Sequence, residues 1–390
     1  MAEGRQAWFV VWAAFASMFT VFGVVYSFGA FFEPMAREFH TGQGVTSILF
    51  AVTAFCYFGL GVVSGAIADR VGPRPVVLLG ALAMAAGLAA TSLAPRFWLG
   101  CVTYGLGAVV GTACGYVPMV AAVGGWFERR RALAIGIAVS GIGAGTLVVP
   151  PLAALLIERV GWRQAYLAMA AVSLIVLVVC GLAAAAPPVQ APVAGGLGRV
   201  VRTRSFALIY ATGLLSGFAL FLAFVHIVPY ALRMGAPALG AAALVSVIGL
   251  GSVAGRLVLG GAADRLGPMV TFRISMAILL VSYVLWLVAP GYPLLAAFAL
   301  VLGVGYGGWV ALSPSVMAAL FGPAGLGGSV GALYTSAGIG ALLGPPFAGF
   351  VVDVTGGYGP AIASAIGLAA AALVLAWLLP VRGSAQAQRT

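Results

Sequence analysis

Arg256 is the residue whose type and position most demand a chemical explanation. It stands in the apolar stretch VSVIGLGSVAGRLVLGGAADR, eight residues before Asp264. If that stretch is a membrane helix ending at Asp264, a rise of about 1.5 Å per residue puts Arg256 roughly 12 Å inward. The hydrocarbon core is about 30 Å thick, so this is near its middle. An arginine there costs at least about 2.5–3.5 kcal/mol on insertion scales. Guanidinium stays charged and offers a planar fork that fits a carboxylate. The competing reading is a structural arginine tied to backbone carbonyls or reaching for the interface. No Asp or Glu falls inside an apolar segment as read from the sequence. A bound anion is then the natural partner of Arg256, and export of organic cations is disfavoured.

Few other residues can do chemistry. Ser252 lies one turn before Arg256 on the same face and can hydrogen-bond a ligand or orient the guanidinium. His226 ends another apolar segment and titrates near neutrality, so it is a ligand or proton carrier, against the alternative of an interface histidine. His40 lies in a loop and is set aside. Tyr358 is a candidate gate residue. The four cysteines (Cys56, Cys101, Cys114 and Cys180) all lie in apolar segments without a CxxC pair. They read as packing residues, with no metal site and no cofactor expected.

The elements that must position these groups are membrane helices. Of the 390 residues 63% are hydrophobic and 7% charged, far below the roughly 25% charged of a soluble domain. Twelve apolar spans are predicted, at 8–32, 45–68, 76–95, 98–125, 132–156, 165–186, 206–232, 239–262, 270–289, 292–319, 328–352 and 360–380. The first is too long for a signal peptide and is expected to remain as a helix. The net charge of +11 is carried by arginine alone. These arginines sit in short loops without interleaved aromatics, which speaks against nucleic-acid binding.

Arginine placement orients the chain. With a cytoplasmic N-terminus, inside segments hold Arg5, Arg70, Arg74, Arg129, Arg130, Arg131, Arg199, Arg202, Arg204, Arg265, Arg273, Arg382 and Arg389. Outside loops hold Arg37, Arg96, Arg159, Arg163 and Arg233. Both termini are therefore expected inside, in the cell's inner membrane.

The chain also repeats itself. GAIADRVG from Gly65 returns as GGAADRLG from Gly260, 195 residues later. The same offset relates Pro34 to Pro229, Pro150-Pro151 to Pro345-Pro346, Glu158 to Asp353, and Gly161 to Gly356. Two six-helix bundles are predicted, at 1–186 and 205–390, joined by a Pro/Gly/Arg-rich cytoplasmic linker at 187–204. The offset pairs Arg256 with Gly61, so one half acquired the charge alone. Parallel repeats with a midplane substrate site are a known transporter plan.

GAIADRVGPR, from Gly65 to Arg74, closely resembles the loop between the second and third helices of the major facilitator superfamily. Its glycines allow a sharp turn. Asp69, Arg70 and Arg74, with the repeated Asp264 and Arg265, are expected to latch the two bundles in one state. Three further stretches, YSFGAFFEP (26–34), WFERRRALA (126–134) and HIVPY (226–230), look like the bacterial monocarboxylate-transporter and oxalate/formate-antiporter branch. The resemblance implies that Arg256 binds a substrate carboxylate. It also implies that Tyr116, Tyr306 and Tyr334 face the substrate, with Val25 and Ile142 as apolar lining. Members often carry Asp where Ser252 stands, which puts an Asp-based proton relay in doubt. Oxalate/formate exchangers carry a second base on helix eleven; here GSVGALYTSAGIGALLGPPFAGFVV has none, favouring a monocarboxylate.

The expectation is an all-α membrane protein of twelve helices that moves a lactate- or pyruvate-like anion by alternating access, with a proton. A single chain would suffice. An exchanger or exporter of another carboxylate is the alternative. A membrane enzyme or sensor is disfavoured: no HExxH, GxSxG, His/Cys cluster or soluble output domain occurs.

Overall fold

In a computed structural model, residues 5–127, 131–185, 197–321 and 326–380 are described. Among them every regular element is a helix. The order is α1 (Arg5–Tyr26), α2 (Phe28–Glu38), α3 (Gln43–Val71), α4 (Pro73–Ser92), α5 (Phe97–Trp126), α6 (Arg131–Ala183) and α7 (Leu197–Val200). Then follow α8 (Arg204–Arg233), α9 (Ala238–Leu266), α10 (Pro268–Leu287), α11 (Tyr292–Phe321), α12 (Leu326–Thr355) and α13 (Gly359–Trp377). Eleven stretches are long and apolar enough to cross a membrane. One of them, Ala134–Ala183, is 50 residues long, about 75 Å of helix and more than twice the hydrocarbon thickness. It turns at Gly161, where φ is 82°, and so supplies two spans. That gives twelve. The sequence reading placed a loop at 157–164; one glycine in the left-handed region makes the turn instead. The first span is also longer than predicted, with a break at Ser27 between α1 and α2.

The duplication is written in the backbone. α3 and α9 each have 29 residues, α4 and α10 20, α5 and α11 30, and each pair starts 195 residues apart. Gly72 and Gly267 both have positive φ, as do Gly161 and Gly356. Each of the first two is followed by proline at the first helical position. Glycine ends one helix in a conformation closed to other residues, and proline opens the next with φ already set. Two helices are thus joined by one residue. Of the predicted linker, 187–196 lies outside the described residues, while Thr203 caps α8 by accepting from the Phe206 amide at 3.2 Å.

Large apolar side chains face outward all round, among them Leu79, Leu82, Trp98, Val102, Leu106, Leu257 and Val258. Water would not tolerate that surface; lipid does. Inside each half small residues set the spacing. A Cβ on Gly141 or Gly145 would overlap the Phe15 or Phe19 carbonyl, and one on Gly255 or Gly307 would overlap the facing backbone. With no hydrophobic drive between helices in lipid, such close approach supplies the packing.

The two halves meet along α3 with α12 and α6 with α9. Their contact is tightest at the end remote from the Gly65–Arg74 loop. There a Cβ on Gly349 would come 2.5 Å from Gly44 Cα. Midway, Phe58 faces Gly338 and Val253 faces Gly143. Toward the loop end a Cβ on Gly136, Gly260 or Gly331 would meet nothing within 4 Å.

Candidate binding site between the two halves

Arg256 sits on α9 where that helix crosses α6 of the other half. Its Nη1 donates to the Val139 carbonyl at 3.1 Å. Its Nε and Nη2 are buried and have no hydrogen-bond partner. Among the described residues the ion pairs join Arg37 to Glu33 and Arg163 to Glu38, so no carboxylate neutralises Arg256. Nη1 is therefore engaged with structure, while Nε and Nη2 are left unpaired. A buried, unsatisfied donor costs about 1–3 kcal/mol, and more when charged. Ser252 Oγ, one turn away, is likewise buried and unpartnered. At the duplicated position a Cβ on Gly61 would come 2.9 Å from Val117 Cγ2, so any side chain there requires Val117 to shift.

Aromatic residues from both halves surround this point. Tyr26, Tyr116 and Tyr334 lie within electrostatic reach of the Arg256 charge. Tyr26 Oη and Tyr306 Oη are 3.4 Å apart, joining the two halves. The Tyr26 ring stacks on Phe224 with centroids 4.6 Å apart. Phe22 touches Tyr26, Tyr57 and Tyr116. Tyr334 packs on Trp309 and donates to the Val310 carbonyl at 3.4 Å. Tyr116 and Tyr334 are half-buried, while Tyr306 is buried. The structure thus brings Arg256, Tyr116, Tyr306 and Tyr334 together. Val25, adjacent to Tyr26, and Ile142, adjacent to Gly143, are buried. Sequence reasoning passed over Tyr26 and Tyr57 as site residues. Their helical phase relative to Arg256 depends on how α1 and α3 meet α9, which no local pattern encodes.

His226 belongs to a second layer, nearer the closed end. It is fully buried. Its Nε2 lies 2.9 Å from the Pro345 carbonyl and its Nδ1 3.4 Å from Tyr358 Oη. Tyr358 donates to Gln43 Oε1 at 2.7 Å, across the halves. Beside this chain Asp353 accepts from the Gln43 and Gly44 amides at 3.0 and 2.9 Å. Those amides open α3, so the second half caps a helix of the first and places its charge at the positive helix end. The sequence marked Asp353 only as the repeat of Glu158. Helices also run past the predicted span ends, so Glu33, Glu38, Glu158 and Asp353 lie within helices, near their polar ends.

At the loop end Arg70, Arg74 and Arg265 are exposed. The side chains of their expected partners, Asp69 and Asp264, lie outside the described residues. Among the described residues no group of three or more His, Cys, Asp or Glu could hold a metal.

Comparison with known proteins fits this architecture. The family model of the Major Facilitator Superfamily matches residues 13–292 and 244–389. Human monocarboxylate transporter 11 is 32% identical over 376 residues, covering 91% of this chain and 79% of that protein. Bovine monocarboxylate transporter 13 is 31% identical, covering 91% of this chain and 85% of that protein. Among solved structures, a bacterial homologue of the human lysosomal transporter Spinster, in an inward-facing and occupied conformation, has a TM-score of 0.74 at 17% identity. That match covers 97% of this chain and 95% of that one, and carries the fold alone. An enzyme reading has no support in these relatives. The chain belongs to the major facilitator superfamily and is a multi-pass secondary transporter.

Proposed function

We propose that this protein carries a small monocarboxylate, lactate- or pyruvate-like, across the cell's inner membrane by alternating access and together with a proton. The observation that carries the proposal is the Arg256 guanidinium, whose Nε and Nη2 are buried and unpartnered. A carboxylate could take both N–H groups side by side, which is the strongest pairing available to that fork. Ser252, Tyr116, Tyr306 and Tyr334 add hydroxyls, with Val25 and Ile142 as apolar wall. The monocarboxylate transporters among the relatives support the substrate class.

In this reading both termini are cytoplasmic, the halves 1–186 and 205–390 rock about Arg256, and one chain is the working unit. The closed end, with Asp353, Tyr358 and His226, faces outward. The Asp69–Arg74 and Asp264–Arg265 loops form the opposing latch when the inner side closes. Anion binding neutralises Arg256 and lowers the cost of sealing it from water. His226 is the protein group to test first as proton carrier, since rupture of the Tyr358–Gln43 contact on opening would expose it. Exchange of dicarboxylates is the weaker reading, because α12 carries no Lys or Arg.

The test is uptake of labelled lactate into proteoliposomes under an inward proton gradient, for wild type and Arg256→Ala. Gradient-stimulated uptake that the variant loses while still eluting as a folded monodisperse protein is the expected outcome. Equal uptake by the variant removes Arg256 from the binding role.

A further inference from the structure

The first half carries a cleft that the transport site does not use. It lies between α1 and the two arms of α6, with a volume of about 710 Å³. Leu152 and Val172 form an exposed, lipid-facing rim, and Thr20, Val24, Ala153 and Ser173 a buried floor. Thr20 spends its hydroxyl on the Ala16 carbonyl at 2.9 Å, so the wall is apolar almost throughout. On α6 the lining begins at Val149 and ends at Arg159, ten residues or about 15 Å of helix. That is half of the roughly 30 Å hydrocarbon core, the depth of one leaflet.

Arg159 stands at the polar end of the cleft, two residues before the Gly161 turn. It is exposed. At this end of the molecule Arg37 and Arg163 form ion pairs and Arg233 lies over the Tyr358 ring. Arg159 has no carboxylate partner among the described residues. A guanidinium above an apolar slot one leaflet deep matches an anionic phosphate above a hydrocarbon tail.

The duplication supplies a comparison within the molecule. The 195-residue offset carries Gly23 to Phe218, Leu152 to Phe347 and Arg159 to Val354. Phe218 and Phe347 meet edge-on with centroids 5.4 Å apart, so rings bridge α8 and α12 where the first half leaves room. Val354 is exposed, so the position faces outward there without a charge. The second half has a bridged seam and no cation; the first has a slot and a cation.

We propose that this cleft holds an acyl chain of one bilayer phospholipid, with the lipid phosphate paired to Arg159. In the orientation proposed above, that lipid belongs to the outer leaflet. Its chain fills the space between α1 and the arms of α6 and ties the first half into one body.

The experiment is native mass spectrometry of the detergent-purified protein, titrated with phosphatidylglycerol, phosphatidylethanolamine and diacylglycerol of the same acyl chains. Wild type should retain one molecule of either phospholipid and bind diacylglycerol at least about fivefold more weakly, since only the phospholipids carry the phosphate. Arg159→Gln should weaken phospholipid binding by a similar factor. Leu152→Trp, which crowds the rim, should weaken it with the charge intact. Arg96→Gln removes another exposed arginine at the same end, away from the cleft, and should bind as wild type. Arg159 and Leu152 are exposed, so both variants should keep the lipid-free melting temperature. Equal phospholipid binding by wild type, Arg159→Gln and Leu152→Trp overturns the inference, as does diacylglycerol binding as tight as phospholipid binding. A lipid-free dimer that Leu152→Trp dissociates would give this face to a second copy and overturns it as well.

Discussion

Asp353 gives the sharpest handle on the conformational cycle. Its carboxylate holds the Gln43 and Gly44 amides at 3.0 and 2.9 Å, and these bonds exist only while the two halves are closed at that end. Each charge-assisted bond is worth about 1.5–3 kcal/mol when dry. Asp353 is exposed, so water recovers much of that on opening. A net of about 1–2 kcal/mol for the pair plus the helix end is the reasonable figure. Asp353→Ala should therefore move the closed-to-open ratio about 5- to 30-fold toward open. Asp353→Asn, which keeps one acceptor oxygen but no charge, should move it less. The assay is electron–electron distance measurement between spin labels at position 37, whose side chain is 74% exposed, and at position 354, 86% exposed, in a background without native cysteines. The expected result is a growing long-distance population in the order wild type, Asn, Ala. Gly349→Ala should act in the same direction through shape alone, since its Cβ would fall 2.5 Å from Gly44 Cα. If neither substitution changes the distance distribution, the contact does not hold the closed state and the reasoning fails.

Other outcomes follow from the same geometry. Ser252→Ala removes a hydroxyl that bonds nothing in the unliganded protein, so thermal stability in detergent should stay within about a degree while KM for the carboxylate rises a few-fold; a large loss of stability would mean the hydroxyl is structural. Gly145→Ala drives a methyl into the Phe19 carbonyl; overpacking of this kind costs about 1–3 kcal/mol, visible as a lower melting temperature. Arg163 donates to the Ser92 and Ala94 carbonyls at 2.6 and 3.0 Å and pairs with Glu38. Arg163→Ala should lower stability by about 1–3 kcal/mol, whereas Arg37→Ala, whose Glu33 pair is largely exposed, should change it by less than about 1 kcal/mol.

Much of this was legible in the sequence, for identifiable reasons. The 195-residue offset appears in residue types because the same turn is needed twice. Gly72 and Gly267 must adopt positive φ, and the prolines after them must start helices. Arg256 stood out because lipid penalises a charge wherever the helix turns it. What the sequence could not give depends on contacts between distant helices. The polar run around Gly161 marked a break between spans, but that a single residue makes the turn within continuous helix rests on its backbone conformation, which composition does not show. Tyr57 lies in an apolar run like many others, and its contact with Phe22 exists only once α1 and α3 have met. His226 was a candidate ligand by type; its bonds to Pro345 and Tyr358 place it in the closing layer. That Asp353 caps a helix 310 residues earlier has no local signature at all.

The central claim is that Arg256 holds the substrate carboxylate. Equilibrium binding of lactate and of lactamide to the purified protein, for wild type, Arg256→Lys and Arg256→Ala, tests it most directly. Loss of a bidentate charged contact should weaken lactate binding by about a hundredfold in Arg256→Ala. Arg256→Lys should fall between, since a lysine keeps the charge but not the fork. Lactamide, which lacks the negative charge, should bind all three proteins weakly and alike. Tight lactate binding retained by Arg256→Ala, or lactamide binding wild type as well as lactate does, would contradict the account.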